Sequence, residues 1–231
     1  MGSPRRAPHI GTLKERSLHA SVKDWYARPG DSPETEVDGF VIDLVREDEL
    51  IEIQTGGFAS LKRKLDRLTR DHRVRLVHPI AQEKWILRVE ANGHTPIGRR
   101  RSPKRGRPEH VFEHLVSIPH LLPRDNLRLQ VLMIQEEEVR RFDGQGSWRH
   151  REWTRFDRRL VDVLEMCDLN APDDFLGYVP PDLERPFTNR DLSEAAGLRL
   201  SLAAKLTYCL RKMGLLEVVG KRGNAQLHAE P

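Results

Sequence analysis

The chain has 231 residues, 32% of them charged and 6% aromatic, with a formal net charge of +4. That length allows one good core, or a main domain with a smaller one. No apolar run reaches the roughly 18 residues of a membrane span, and the opening "MGSPRRAPHI" lacks a secretory apolar stretch, so a soluble, cytoplasmic protein is expected.

Residues 1–10 read as a disordered tail. Residues 12–26, "TLKERSLHASVKDWY", read as a helix with Thr12 as N-cap and Leu18, Val22 and Trp25 as its apolar stripe. Glu15 lies on that same face. "TEVDGF" begins a strand, with Asp38-Gly39 marking a bend. "FVIDLVREDELIEIQ", 40–54, follows. Its first half is a short, unbroken apolar run of the kind buried on both faces, interrupted by Asp43. "REDE" is a turn, and "LIEIQ" is a second strand with Ile51 and Ile53 on one face and Leu50, Glu52 and Gln54 on the other. "FASLKRKLDRLTR" has helical spacing through Phe58, Leu61, Leu65 and Leu68. "RVRLVHPI", 73–80, and "KWILRVE", 84–90, read as two further strands.

Six of the nine residues in "RRRSPKRGR", 99–107, are basic, and a mobile loop is expected there, inside a wider break at 91–107. "HVFEHLV" is a short helix. "LRLQVLMIQEEEVRRF" is a strand with a hairpin at Asp143-Gly144, and "DRRLVDVLEMCDL" is a helix with Leu160, Leu164 and Cys167 inward. "NAPDDFLGYVPPDLERP", 170–186, is the linker candidate. After it come a helix capped by Thr188, a turn at "GLRL", a second helix "SLAAKLTYCLRKMG", and two short strands around Gly220-Lys221-Arg222-Gly223. That layout is a winged helix-turn-helix, with Leu192, Ala195, Leu202, Leu206, Leu210, Leu215 and Val218 as its own core. Cys167 and Cys209 stand alone in apolar patterns, which suggests a reducing compartment and no cysteine zinc cluster. The expected organisation is a core at 11–125, an accessory strand and helix at 126–169, the linker at 170–186 and the winged unit at 187–231.

Asp43, Glu52 and Gln54 put three polar groups into a mostly apolar sheet. An unpaired buried carboxylate costs several kcal/mol or more. A divalent metal is the reading that uses all three, and a bulge cap at Asp43 with Glu52 paired to a helix arginine is the plainer one. With Glu15, the order is a carboxylate on a helix, Asp in the second strand, and E-x-[K/Q] in the third, in an αβββαβ succession. Residues 12–80, about a third of the chain, thereby resemble the PD-(D/E)XK nuclease superfamily. "VIDLV" followed by "LIEIQ" looks most like the archaeal junction resolvases and restriction endonucleases.

The resemblance implies a restriction-endonuclease-like α/β (α+β) core. It implies that Asp43, Glu52 and the carbonyl of Ile53 hold Mg²⁺ or Mn²⁺, with Glu15 binding directly or through water. Gln54 stands where the family usually has lysine. Glutamine can orient a water but carries no charge, so Lys62 or Lys64 is the candidate to supply one. Glu36 and Asp38 are alternative acids. Without the family, His110 and His114, four apart beside Glu109 and Glu113, offer only a weak zinc reading, since no third ligand accompanies them.

The basic residues point to duplex DNA as partner. Arg99, Arg100, Arg101, Lys104, Arg105 and Arg107 would clamp a backbone. Arg199 and Ser201 begin the recognition helix, Lys205, Arg211 and Lys212 lie along it, and Lys221 and Arg222 tip the wing. The expected function is a metal-dependent DNA endonuclease targeted by the winged helix, with nucleoid association when bound. The alternative is a DNA-binding protein whose nuclease core has decayed into a scaffold. A homodimer, or a protein partner docked on the winged helix, is also compatible.

Overall fold

The computed structural model describes residues 17–144 and 153–231. Helix α1 (Leu18–Tyr26) is capped by Ser17, whose hydroxyl accepts from the Ala20 amide. Thr12, the expected cap, and the 1–10 tail lie outside the described residues. The buried stripe of α1 is Leu18, Val22 and Tyr26, one residue per turn, and Trp25 is 45% exposed rather than inward. Tyr26 can take the inward place because its hydroxyl donates to Gln130 Oε1 at 2.6 Å.

Strands β1 (Ser32–Val37), β2 (Phe40–Arg46) and β3 (Glu49–Ile53) form an antiparallel meander. Asp38 and Gly39, with φ of 51° and 77°, make the two-residue turn between the first two. A 3-10 turn leads into α2 (Lys62–Leu68), and β4 (Arg73–Val89) then runs parallel to β3. The order helix, three strands, helix, strand is the one expected. The start of β2 is not buried on both faces, however: Val41 is 61% exposed.

β4 is one continuous strand of 17 residues. The expected break between 80 and 84 is a bulge at Ala81–Glu83. Its first half pairs with β3 and its second half with β5 (Pro96–Arg101). The basic segment is therefore not a free loop. Arg99, Arg100 and Arg101 are ladder residues of β5, Ser102 is buried, and the Gly106 amide donates to the Ala81 carbonyl at 2.8 Å. A Cβ on Gly106 would stand 2.5 Å from that oxygen, so only glycine lets the chain come this close.

After α3 (Phe112–Leu115) come β6 (Leu127–Phe142) and β7 (Trp153–Leu169), paired antiparallel along their length. The segment expected as a helix, 157–169, is thus a strand. Its pairing with β6 slips three times, each slip placing one extra residue on β7. Those bulges stretch the two-residue alternation of a strand into steps of two and three, which imitates helical spacing. β6 and β7 are members of the main sheet, ordered β1-β2-β3-β4-β6-β7 with β5 on β4, rather than an accessory segment.

The linker expectation also gives way. Residues 170–186 contain α4 (Pro172–Leu176), and Phe175 and Val179 are buried. Helices α5 (Asn189–Ala195) and α6 (Leu200–Lys212) and the hairpin β8 (Glu217–Arg222) with β9 (Ala225–Ala229) complete the chain. Thr188 caps α5 as expected. Leu192, Leu202, Leu206 and Leu210 are buried in the same continuous cluster as Val111, Phe112 and Leu115 of the main body, while Ala195 and Val218 are exposed. A smaller cluster under α1 covers the opposite face of the sheet through Leu44, Ile51, Ile53 and Val77. Cys209 is buried as expected, and Cys167 is half-buried. The result is a mixed α+β architecture with helices on both faces of one sheet. Among the described residues no helix is long and apolar enough to cross a membrane.

Candidate functional site

β2 and β3 pair only through Leu44, Val45 and Arg46, and beyond Leu44 they part. Two side chains fill the gap. Asp43 Oδ2 accepts the Ile53 amide at 2.8 Å, in place of a ladder partner. Lys64, from α2, donates to the Val41 carbonyl at 2.6 Å and to Glu52 Oε2 at 2.5 Å. The parted end of the hairpin therefore holds Asp43 and Glu52 together with an ammonium. His19 of α1 closes it from the other face, its Nε2 lying 3.1 Å from Asp43 Oδ1.

The electrostatics follow from burial against these partners. Burial works to raise the Asp43 pKa, but the His19 and Ile53 hydrogen bonds overcome it and hold the carboxyl below its ordinary value. The same His19–Asp43 hydrogen bond raises the imidazole. Glu52, 9% exposed, goes the other way: burial raises its pKa, Lys64 opposes, and the Asp43 charge adds to the rise. Two neighbouring carboxyls are thus pushed apart in acidity. Of the two lysines proposed to replace the family's charge, the structure brings Lys64 to the site. His19 was missed. Its only signal is an imidazole one helical turn after Glu15.

Among the described residues no three or more His, Cys, Asp and Glu side chains are grouped to hold a metal ion. The set that the resemblance implies, Asp43, Glu52 and the Ile53 carbonyl, would be of the sparse, oxygen-only kind that Mg²⁺ accepts with waters in its other positions. Glu15 lies outside the described residues. Gln54 is turned away from the carboxylates, donating to the Gly57 carbonyl at 2.7 Å and to Ser60 Oγ at 3.3 Å. Asp38 is held by Arg67 at 3.0 Å and faces His72, and Glu36 is exposed on β1. His110 turns to the Arg107 backbone while His114 stacks on Phe58 and His78, so the zinc reading fails.

The strand end after Gln54 is pinned by His78, whose Nδ1 lies 2.6 Å from the Gln54 carbonyl. Burial pushes the His78 pKa down to about 4, with the Gln54 carbonyl opposing. The unfolded chain takes up this proton first, near pH 6.5. Stability from the neutral ring is therefore complete above about pH 6.5 and is lost as pH falls towards 4, by roughly 3 kcal/mol at most. His78→Asn keeps an N–H donor and does not titrate. Urea midpoints of the two proteins between pH 7 and 4 are expected to show a flatter profile for the variant. Parallel profiles would remove His78 as the source.

The basic residues divide into engaged and open. Arg99 is paired with Glu137 at 2.7 Å and lies over Trp85, and Arg101 is paired with Glu83. Arg107 pairs with Glu109 at 2.6 Å and donates to the carbonyls of Ala196 and Gly197. Arg105 turns back to the Ser102 carbonyl, while Lys104 and Arg100 are exposed. In the C-terminal unit Arg199 caps α6 and is exposed with Ser201, Lys212 and Lys221. Lys205 is half-buried and close enough to His114 to lower its pKa alongside burial. Arg211 donates to Gln226 at 3.0 Å, and Arg222 pairs with Asp191 at 3.0 Å.

Comparison with known proteins adds lineage without a role. A family profile described as "Domain of unknown function (DUF8091)" matches residues 16–170. An uncharacterized protein of Treponema pallidum (strain Nichols) is 27% identical over 221 residues, covering 95% of this chain and 86% of that protein. No solved structure matches.

Proposed function

The chain belongs to the DUF8091 family of domains of unknown function, and from the geometry within that family region we propose that it is a metal-dependent DNA endonuclease. The observation that carries this reading is the parted β2–β3 end, where Asp43, Glu52 and the Lys64 ammonium meet within an αβββαβ element order. It supports a restriction-endonuclease-like core. Asp43, Glu52 and the Ile53 carbonyl would hold Mg²⁺ or Mn²⁺, which when bound neutralises developing phosphate charge and acidifies a water. Lys64 supplies the cation that Gln54 lacks. His19 orients Asp43 through the Nε2 contact, as a residue behind a ligand does.

Helices α5 and α6 with the β8–β9 hairpin support a winged-helix reading of the C-terminal unit. Ser201, Tyr208 and Lys212 form the open side of α6, and Lys221 lies in the hairpin. Lys221→Glu is expected to weaken duplex binding about equally for all sequences and to shallow its salt dependence, as for a phosphate contact. Fluorescence anisotropy across a salt series checks this, and an unchanged slope would take the hairpin off the DNA.

The test of the main reading is plasmid nicking with Mg²⁺ or Mn²⁺, with and without EDTA, for the wild type and Asp43→Asn. A second reading has its own observation. Gln54 is tied to Gly57 and Ser60, and Lys64 already neutralises Glu52, which suits a scaffold that binds DNA without cutting it. DNA binding without any metal-dependent nicking would favour that reading.

A further inference from the structure

The long strands continue well past the candidate site. Residues paired across neighbouring strands share a face of the sheet. On the face that carries α1, one row runs Arg100, Ile86, Glu138, Arg158. The next runs Gly98, Arg88, Arg140, Arg155, and Phe142 with Trp153 ends the series. From the first row to the last is about 13 Å along the strands.

This face is strongly cationic. Among the described residues Glu136 and Glu138 are ion-paired from within: Lys84 lies 2.9 Å from Glu136 and 2.7 Å from Glu138, and Arg140 lies 2.6 Å from Glu138. Burial works against the Glu138 charge, and those two cations overcome it and hold its pKa below the ordinary value. Arg88, Arg100 and Arg155 are exposed and make no ion pair among the described residues. Arg88 stacks over the Trp153 ring at 5.0 Å, and Phe142 meets that ring edge-on at 5.3 Å. A cleft of about 280 Å³ opens between Glu138, Arg140, Trp153 and Arg155. The face also reaches the candidate site. Arg158, 3.5 Å from Glu136, extends its other nitrogen to the Thr55 carbonyl at 3.4 Å, one residue past Gln54.

We propose that this sheet face binds an unpaired nucleic-acid strand, with phosphates on Arg88, Arg100 and Arg155 and a base stacked at Trp153, and leads it to the Asp43–Glu52 site. The inference rests on the nucleic-acid reading above and narrows it to substrates carrying a single-stranded segment. An unpaired strand is favoured over a duplex for two reasons. Stacking needs a free base face, which a duplex keeps inside. The surface is also a sheet face, on which alternating cations and an aromatic ring suit backbone and splayed bases together.

The test is fluorescence anisotropy of the full chain in EDTA, with a labelled oligothymidylate and a labelled duplex of similar length. The Arg88→Ala/Arg155→Ala protein is expected to bind the oligothymidylate about tenfold more weakly or worse. Its log affinity against log salt should lose about 1.4 of slope, near 0.7 for each phosphate contact on a single strand. Trp153→Ala is expected to lose roughly fivefold or more, with Trp153→Phe largely retaining affinity. Duplex affinity should move little in any of them. Unchanged oligothymidylate affinity in the double variant, an equal loss on duplex, or no wild-type binding of the oligothymidylate would each overturn the proposal. If Trp153→Ala does not fold, the exposed arginine pair still decides the matter. Cleavage assays with Mg²⁺ or Mn²⁺ on DNA carrying a single-stranded segment separate the two readings. Strand binding that survives where metal-dependent cleavage is absent sinks the nuclease alone, and cleavage without strand binding sinks this path alone.

Discussion

Asp43→Asn is expected to lower metal-dependent plasmid nicking by about a thousandfold, while leaving duplex affinity within about twofold. The substitution removes one unit of negative charge and keeps the shape. Asp43 also has a structural duty, accepting the Ile53 amide at 2.8 Å where β3 has no ladder partner on the β2 side. An asparagine carbonyl oxygen can keep that bond, so the parted strands should stay in place. It cannot keep the charge that draws His19 and would hold a divalent ion. On the proposed reading, affinity would come from the arginines and lysines elsewhere, which are untouched. Asp43→Ala is the less clean variant, because it leaves the Ile53 N–H without its acceptor. Nicking by Asp43→Asn at the wild-type rate, with the same metal requirement, would show that the assigned carboxylates are not the site.

Lys64→Met is expected to cost about 3 kcal/mol of stability at neutral pH, and to abolish nicking as well. The two partners are nearly enclosed, with side chains 13% and 11% exposed. Removing one member of such a pair strands the other charge out of water. Here the stranded group is Glu52, whose pKa burial already raises. A carboxyl with a raised folded-state pKa is favoured in the fold when protonated, so its cost appears as pH rises through that pKa. The difference between variant and wild type should therefore shrink as pH falls from neutral. Adding Glu52→Gln to Lys64→Met should recover most of the stability and none of the activity. Urea denaturation of the three proteins at two pH values measures this. A Lys64→Met protein as stable as wild type would mean that the pair is loose and that Lys64 is free to act elsewhere.

The first third of the fold and half of the candidate site are legible in local signals of the chain. The apolar run of "VIDLV", the alternation in "LIEIQ", the Asp38-Gly39 turn and the helical spacing through Leu65 and Leu68 are local signals, and each marks the element that forms there. The placement of Ile51 and Ile53 opposite Leu50 and Glu52 follows from the same two-residue repeat, and it explains why Glu52 meets α2 while Ile53 packs under α1. The rest is set by long-range packing, because the interactions that matter there join residues far apart in the chain. β7 could not be read as a strand until β6 was beside it, since three bulges distort its alternation towards a helical period. "RRRSPKRGR" looked free because nothing local shows that Glu137, Glu83 and the Ala81 carbonyl wait for it across the sheet. His19 and Lys64 reach Asp43 and Glu52 across 24 and 12 positions of sequence. No period in the sequence carries such a partnership, because it is made by the crossing of a helix over a strand end, and that crossing is set by what the two hydrophobic clusters bury together.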